Sequence, residues 1–234
     1  MSNRRPNNSN CSSIILQALF ILCLSPIEES TTHRRFCAIV LAELRLIVRG
    51  QNRWWLLVAS GFVVASLFCP LNVVRHYLLP AAWLWPILSW SALGNRELRH
   101  HTGQIVFSTS NVFRCQLLAT WFAGFLTAIL TGCGTGARLV LAGLWDHFLT
   151  WAIGAAFIPS LALALGVWSR NSRLFEMIYV LWWYLGSIGG VAVLDYMNIK
   201  SRAVTDDISI MYVVASILLF GVAVVGRHRQ LRHD

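Results

Sequence analysis

The chain has 234 residues, of which 56% are hydrophobic and only 12% charged, about half the charged share usual in soluble domains, and its mean hydropathy is +0.60. That composition excludes an ordinary soluble domain, and the formal charge of +9 falls mainly between apolar runs, where basic residues set membrane topology rather than bind nucleic acid. The six cysteines form no CxxC pair, so neither a zinc site nor a disulfide framework is indicated, a Cys69–Cys133 bridge being the minor alternative.

Residues 1–33 read as an N-terminal extension. Arg4 and Arg5 precede a short apolar core, Ser13 to Leu24, but no small-x-small cleavage site follows, and an interfacial or dispensable extension is favoured over a signal. Residues 34–53 are predicted to form an amphipathic helix lying in the membrane interface. Its projection places Arg34, Arg45 and Arg49 on one side and Phe36, Val40, Leu44 and Ile47 on the other, as such helices require. Glu43 falls on the apolar side, where a lone carboxylate is costly, so it is expected either to find an arginine on another segment or to pair locally with Arg45 or Arg49.

Residues 54–226 carry six uncharged or nearly uncharged runs of membrane-spanning length: Trp54 to Asn72, Tyr77 to Leu93, Cys115 to Gly132, Phe148 to Trp168, Leu174 to Leu194 and Ser209 to Gly226. At about 1.5 Å per residue each approaches the ~30 Å of bilayer hydrocarbon. Pro80 and Pro86 in the second run and Pro159 in the fourth favour kinks. Residues 227–234 form a basic tail. Fifteen of the 19 Lys and Arg residues lie in the N-terminal region, the 94–114 and 169–173 loops and the tail, so the positive-inside rule places both termini in the cytoplasm. The expected fold is an all-α integral membrane protein, with one interfacial helix and six transmembrane helices.

Little in the spans suggests chemistry. None of the seven histidines lies inside a run, and Glu176 is the only carboxylate there. Three residues after Arg173, it is expected to pair with Arg173 or Arg170. "GCGTG", Gly132 to Gly136, lacks the strand-loop-helix setting of a phosphate loop and is expected to be a flexible turn after the third span. Lys200, the single lysine, belongs to no Walker A sequence, so this chain carries no nucleotide-binding motif, cofactor site or metal site and is not expected to be an enzyme.

The charge is instead concentrated in "GNRELRHHTGQ", Gly94 to Gln104. Glu97, Thr102, Gly103, Ser108 and Arg114 stand in "ELRHHTGQIVFSTSNVFR", after "ELRLIVRG" (Glu43 to Gly50) and before "IPSLALALGVWSRNSRLFEMIYVLWWYLG" (Ile158 to Gly186). In these motifs and in its layout, from about Arg34 to Gly226, the chain resembles the membrane subunit of type-2 ABC exporters. Ser110 stands where that family's loop usually has proline.

The resemblance implies that Glu43, Arg45 and Arg49 belong to an elbow helix. It also implies that Glu97, Arg99, Thr102 and Arg114 couple the loop 94–114 to a soluble ATP-binding cassette subunit, on which ATP and Mg would bind. A second permease subunit, identical or related, and the lipid of a bacterial or archaeal plasma membrane are the other implied partners. The alternatives are an accessory membrane protein without its own transport path and, as a minor candidate, a membrane enzyme using cytoplasmic histidines.

Overall fold

A computed structural model of the chain describes residues 32–94, 110–169, 171–197 and 206–233. The chain divides into two units, Met1–Cys37 and Ala38–Asp234. Among the described residues all regular elements are helical, and three helices are long and apolar enough to cross a membrane. The chain is an integral membrane protein, all-helical in its described residues.

Helix α1, Thr32–Arg49, buries Val40 and Ile47 and leaves Arg45 and Arg49 exposed. Helix α2, Arg53–Phe68, follows after a short turn. Its 16 residues rise about 24 Å, and Pro70, which lacks a backbone N–H, follows two residues beyond its end. Helix α2 thus ends four residues short of the expected Asn72; α3, Leu71–Val73, and a π-helical turn, Val74–Leu78, lead into the predicted second span, which is itself segmented into α4, Leu79–Leu84, and α5, Ile87–Ser91. Pro80 sits at the start of α4 and Pro86 separates α4 from α5, so the breaks fall where the chain has no donor to continue the ladder.

Helix α6, Ser110–Leu141, has 32 residues and corrects the expected turn at Gly132–Gly136. The helix runs straight through those glycines because each makes room for a neighbour. A Cβ at Gly132 would lie 2.8 Å from Trp83 Nε1 and 2.9 Å from Trp151 Nε1. One at Gly136 would meet the Trp151 ring at 3.0 Å, and one at Gly134, on the opposite face, would lie 2.8 Å from the Val63 carbonyl oxygen of α2. In lipid the backbone must satisfy itself, so glycine in a helix serves close packing at little risk of unwinding.

Helix α7, Trp145–Ser169, contains Pro159 without interruption; a Cβ at Gly124 would come within 2.9 Å of the Pro159 ring, so α6 makes space for it. Helix α8, Ser172–Trp183, continues as a π-helical turn, Tyr184–Ile188. The expected fifth span to Leu194 is thereby corrected: the helix stops at Gly189–Gly190, where Gly190 has φ +75°, a left-handed conformation favoured by glycine. The chain then doubles back through the 3₁₀ turn Ala192–Leu194 and buries Asp195, Tyr196 and Met197. Helix α9, Asp206–His233, closes the described chain.

The most apolar stretch of α7 is 67% buried and that of α9 only 11%, so α7 is the central post and α9 lies at the periphery. The Cys69 and Cys133 thiols are both free. Arg138, near the end of α6, donates from Nη1 to the Ser66 carbonyl at 3.2 Å and to the Cys69 carbonyl. It thus satisfies backbone acceptors left over at the C-terminus of α2. Arg138→Ala is expected to destabilise the fold by about 1.5–3 kcal/mol, the usual worth of hydrogen bonds to a charged donor. A thermal midpoint in detergent indistinguishable from wild type would refute that role.

Candidate functional site

Two polar assemblies mark the bundle. The first gathers the α1–α2 turn, the end of α5 and the ends of α7 and α9. Gln51 donates from Nε2 to Ser89 Oγ at 2.9 Å, tying the end of α1 to α5. Five residues further on, Gly94 lies against Gly166 of α7; a Cβ at Gly166 would fall 2.7 Å from the Gly94 Cα. Trp168 Nε1 donates to the Val222 carbonyl at 3.0 Å, Arg229 stands 5.8 Å over the Trp168 ring, and Gln230 Nε2 donates to the Val167 carbonyl at 2.7 Å. Asn171 caps α8 by accepting from the Arg173 amide. The chain therefore enters the charged 94–114 stretch from a backbone position held against α7, and α7 is itself held to the basic end of α9.

Of the predicted coupling residues, Glu97, Arg99 and Thr102 lie outside the described residues, and Arg114 falls in the second turn of α6, its side chain outside the described set. On α1, Glu43 is half-buried on the same side as Val40 and Ile47, while Arg45 and Arg49 point away. Glu176 is half-buried, and no ion pair joins it to Arg173; the expected pairing is not formed between those two.

The second assembly sits toward the other end of α7 and was not anticipated. Tyr179, fully buried, donates its hydroxyl hydrogen to the Trp83 carbonyl at 3.1 Å and shares a 3.0 Å contact with Tyr196 Oη, so Tyr196 is the donor in that pair. Trp182 Nε1 donates to Tyr212 Oη at 3.2 Å, and Tyr212 donates to the Val193 carbonyl at 2.9 Å. Trp83 stacks on Tyr196 at 6.1 Å and on Trp151 at 6.3 Å.

Asp195 is 94% buried, at 6% exposure, and its charge acts on Arg75 in the π-helical turn. Burial lowers the Arg75 pKa and the Asp195 carboxylate opposes that shift, as expected of opposite charges in a poorly solvated place. The returning segment 191–197 is thus bonded to α8 and α9 by aromatic hydroxyls, and Tyr179 carries the connection on to α4. The only trace of this in the sequence was a tyrosine-aspartate pair following Gly189–Gly190, since its partners stand up to 96 residues away.

Among the described residues no group of three or more histidine, cysteine or carboxylate side chains is placed to hold a metal. His76 Nδ1 lies 2.8 Å from the Asn72 carbonyl on its own helical segment. No family model matches the chain, and comparison with the curated proteins and with the solved structures returns no match.

Proposed function

We propose that this chain is the membrane-spanning permease subunit of an ABC-type exporter, moving a substrate across the membrane with energy from a separate ATPase coupled through the loop 94–114. The observation that supports this reading best is α6. Its 32 residues extend about 48 Å, well beyond the ~30 Å hydrocarbon layer, and its first residues, from Ser110, belong to the 94–114 loop. A continuous helix of that length transmits a displacement at its first turn to its far end, where Arg138 grips α2. The Gly94–Gly166 contact fixes the start of the same loop, and Gln51, just after the amphipathic α1, bonds to Ser89 five residues before it. In this reading Glu97, Arg99, Thr102 and Arg114 contact the ATPase or anchor the coupling helix, α1 is the elbow, both termini are cytoplasmic, and two permease subunits pair with two ATPase subunits.

The test is affinity capture of the tagged chain from its native membrane in mild detergent with nucleotide, read by mass spectrometry, beside Glu97→Ala/Arg99→Ala. An ATPase carrying GxxxxGK[ST] is expected with wild type, weakened several-fold in the variant at equal membrane level. Folded wild type that repeatedly captures no ATPase would overturn the assignment in favour of an accessory membrane protein.

A further inference from the structure

The apolar run of α9, Ser209 to Gly226, is 18 residues long, about 27 Å of helix and so close to the whole hydrocarbon thickness. Arg229 stands three residues beyond its end, a further rise of about 4.5 Å, at the level where phospholipid headgroups begin. Trp168, at the adjoining end of α7, is 53% exposed and is placed as interfacial aromatic residues are.

A cation at a membrane rim is commonplace, but this one is held in position. The Trp168 indole lies on α9 where Gly226 gives it room, since a Cβ at Gly226 would come 2.5 Å from Nε1. Nε1 donates to the Val222 carbonyl at 3.0 Å, which pins the ring, and the Arg229 guanidinium lies 5.8 Å over it. Gln230 keeps the two helix ends in register by donating to the Val167 carbonyl at 2.7 Å. One face of the guanidinium is therefore covered by the ring, while its N–H edge, on an exposed side chain, is left for an acceptor. Among the described residues no carboxylate pairs with Arg229. A planar fork of donors suits two oxygens of one phosphate, and holding it in advance lowers the entropy lost on binding.

Charge and depth select the occupant. Arg173, exposed in the first turn of α8, and His228, exposed beside Arg229, add to the same rim. The one carboxylate on α8 or on α9 beyond Gly226 is the half-buried Glu176. A net anion is thus preferred over a zwitterion, whose ammonium group the rim repels. On α9, Val225 and Val222 lie four and seven residues before Arg229, on the same helical face, and are 51% and 44% exposed. An anion that carries acyl chains continues onto that apolar surface, which a soluble phosphate cannot cover.

We propose that the Trp168–Arg229 pair is a headgroup site for one anionic phospholipid. The Arg229 fork binds the phosphate, and an acyl chain lies along Val225 and Val222. The site does not depend on the transport assignment, and its occupant braces the end of α9 against the end of α7.

The test offers the purified full-length chain, in mild detergent, equal amounts of phosphatidylglycerol and phosphatidylcholine with identical acyl chains, and counts the retained lipids by native mass spectrometry. Wild type is expected to keep phosphatidylglycerol several-fold over phosphatidylcholine. Arg229→Gln should remove most of that preference. So should Trp168→Leu, which leaves the charge unchanged but takes away the surface that holds the guanidinium. Arg45→Gln, an equal loss of charge on α1, should behave as wild type. Thermal midpoints and gel filtration identify the folded variants, and Arg229→Lys, which keeps the charge without the planar fork, repeats the comparison with a smaller disturbance and should also lose selectivity. Equal retention of the two lipids by folded wild type would overturn the site. The same loss in Arg45→Gln as in Arg229→Gln would replace it with a diffuse basic rim, and complete displacement of phosphatidylglycerol by millimolar pyrophosphate would reassign it to a soluble anion.

Discussion

Trp83→Ala is expected to lower the stability of the folded chain by about 3–5 kcal/mol, the range for deleting a large buried aromatic side chain. Trp83 has no exposed surface. It touches three separate parts of the chain: its Nε1 donates to the Ala128 carbonyl of α6 at 3.1 Å, its ring stacks on Trp151 of α7, and its other neighbour is Tyr196 of the returning segment. Alanine leaves a cavity that none of these can fill, because each is anchored elsewhere. Tyr179→Phe separates the hydrogen bond from the volume: it removes the donor to the Trp83 carbonyl and the acceptor of Tyr196 while keeping the ring, and costs about 1–3 kcal/mol for the polar atoms left buried. Trp151→Phe is the contrast, since the Trp151 indole N–H is buried without a hydrogen-bond partner and its loss removes a penalty rather than a bond. Thermal or denaturant unfolding in one detergent should rank Trp83→Ala as most damaging, then Tyr179→Phe, then Trp151→Phe. Equal midpoints for Tyr179→Phe and wild type would show that the hydroxyl network holds nothing together.

Gly166→Leu is expected to be the second severe change, at about 1–3 kcal/mol or beyond, as overpacking of a rigid contact generally is. The neighbour that a side chain would meet is the Gly94 backbone, with Cα, N and C atoms all between 2.7 and 3.3 Å from the new Cβ, and backbone cannot rotate aside as a flexible side chain can. The displacement falls on the last described residue before the charged stretch, so the lesion reaches the proposed coupling loop as well as the core. Gly61→Leu and Gly221→Leu are the controls: nothing lies within 4 Å of a Cβ at either, and leucine has the better helix propensity by a few tenths to about 1 kcal/mol. Both should remain monodisperse on gel filtration with near wild-type midpoints while Gly166→Leu aggregates or unfolds early. If all three behave alike, the Gly94–Gly166 contact is not a constraint on the fold.

What could be read from the chain beforehand was what depends on neighbouring residues. Apolar runs marked α2, α7 and α9, Pro86 marked the break before α5, and helical projection placed Val40 and Ile47 of α1 opposite Arg45 and Arg49. The errors have a common origin. "GCGTG" suggests a turn by local propensity, but Trp83, Trp151 and Val63 approach the helix from other segments and require small residues there. The run Leu174 to Leu194 is apolar throughout, and only the backbone at Gly190 shows that its end folds back. The tyrosine network joins α4, α8, α9 and the returning segment, a pairing that no window along the sequence contains. For Glu97, Arg99 and Thr102 the charge pattern was visible, but their geometry lies outside the described residues.

The contrast between α6 and α9 bears on how the chain is made. The best stretch of α9 has a mean hydropathy of 2.6 and is scarcely buried, whereas that of α6 reaches 1.6 and is 56% buried, with Thr127, Thr131 and Thr135 enclosed and Arg138 engaged with α2. Thr127 and Thr131 donate to carbonyls of α6 itself, so lipid tolerates them, but the Arg138 guanidinium is a charge that lipid does not satisfy. That charge is answered by the Ser66 and Cys69 carbonyls at the end of α2, which is synthesised before it. The order of the chain thus supplies the partner of the α6 charge before that charge is made, while α9, the most apolar of the three long helices, comes last and needs none.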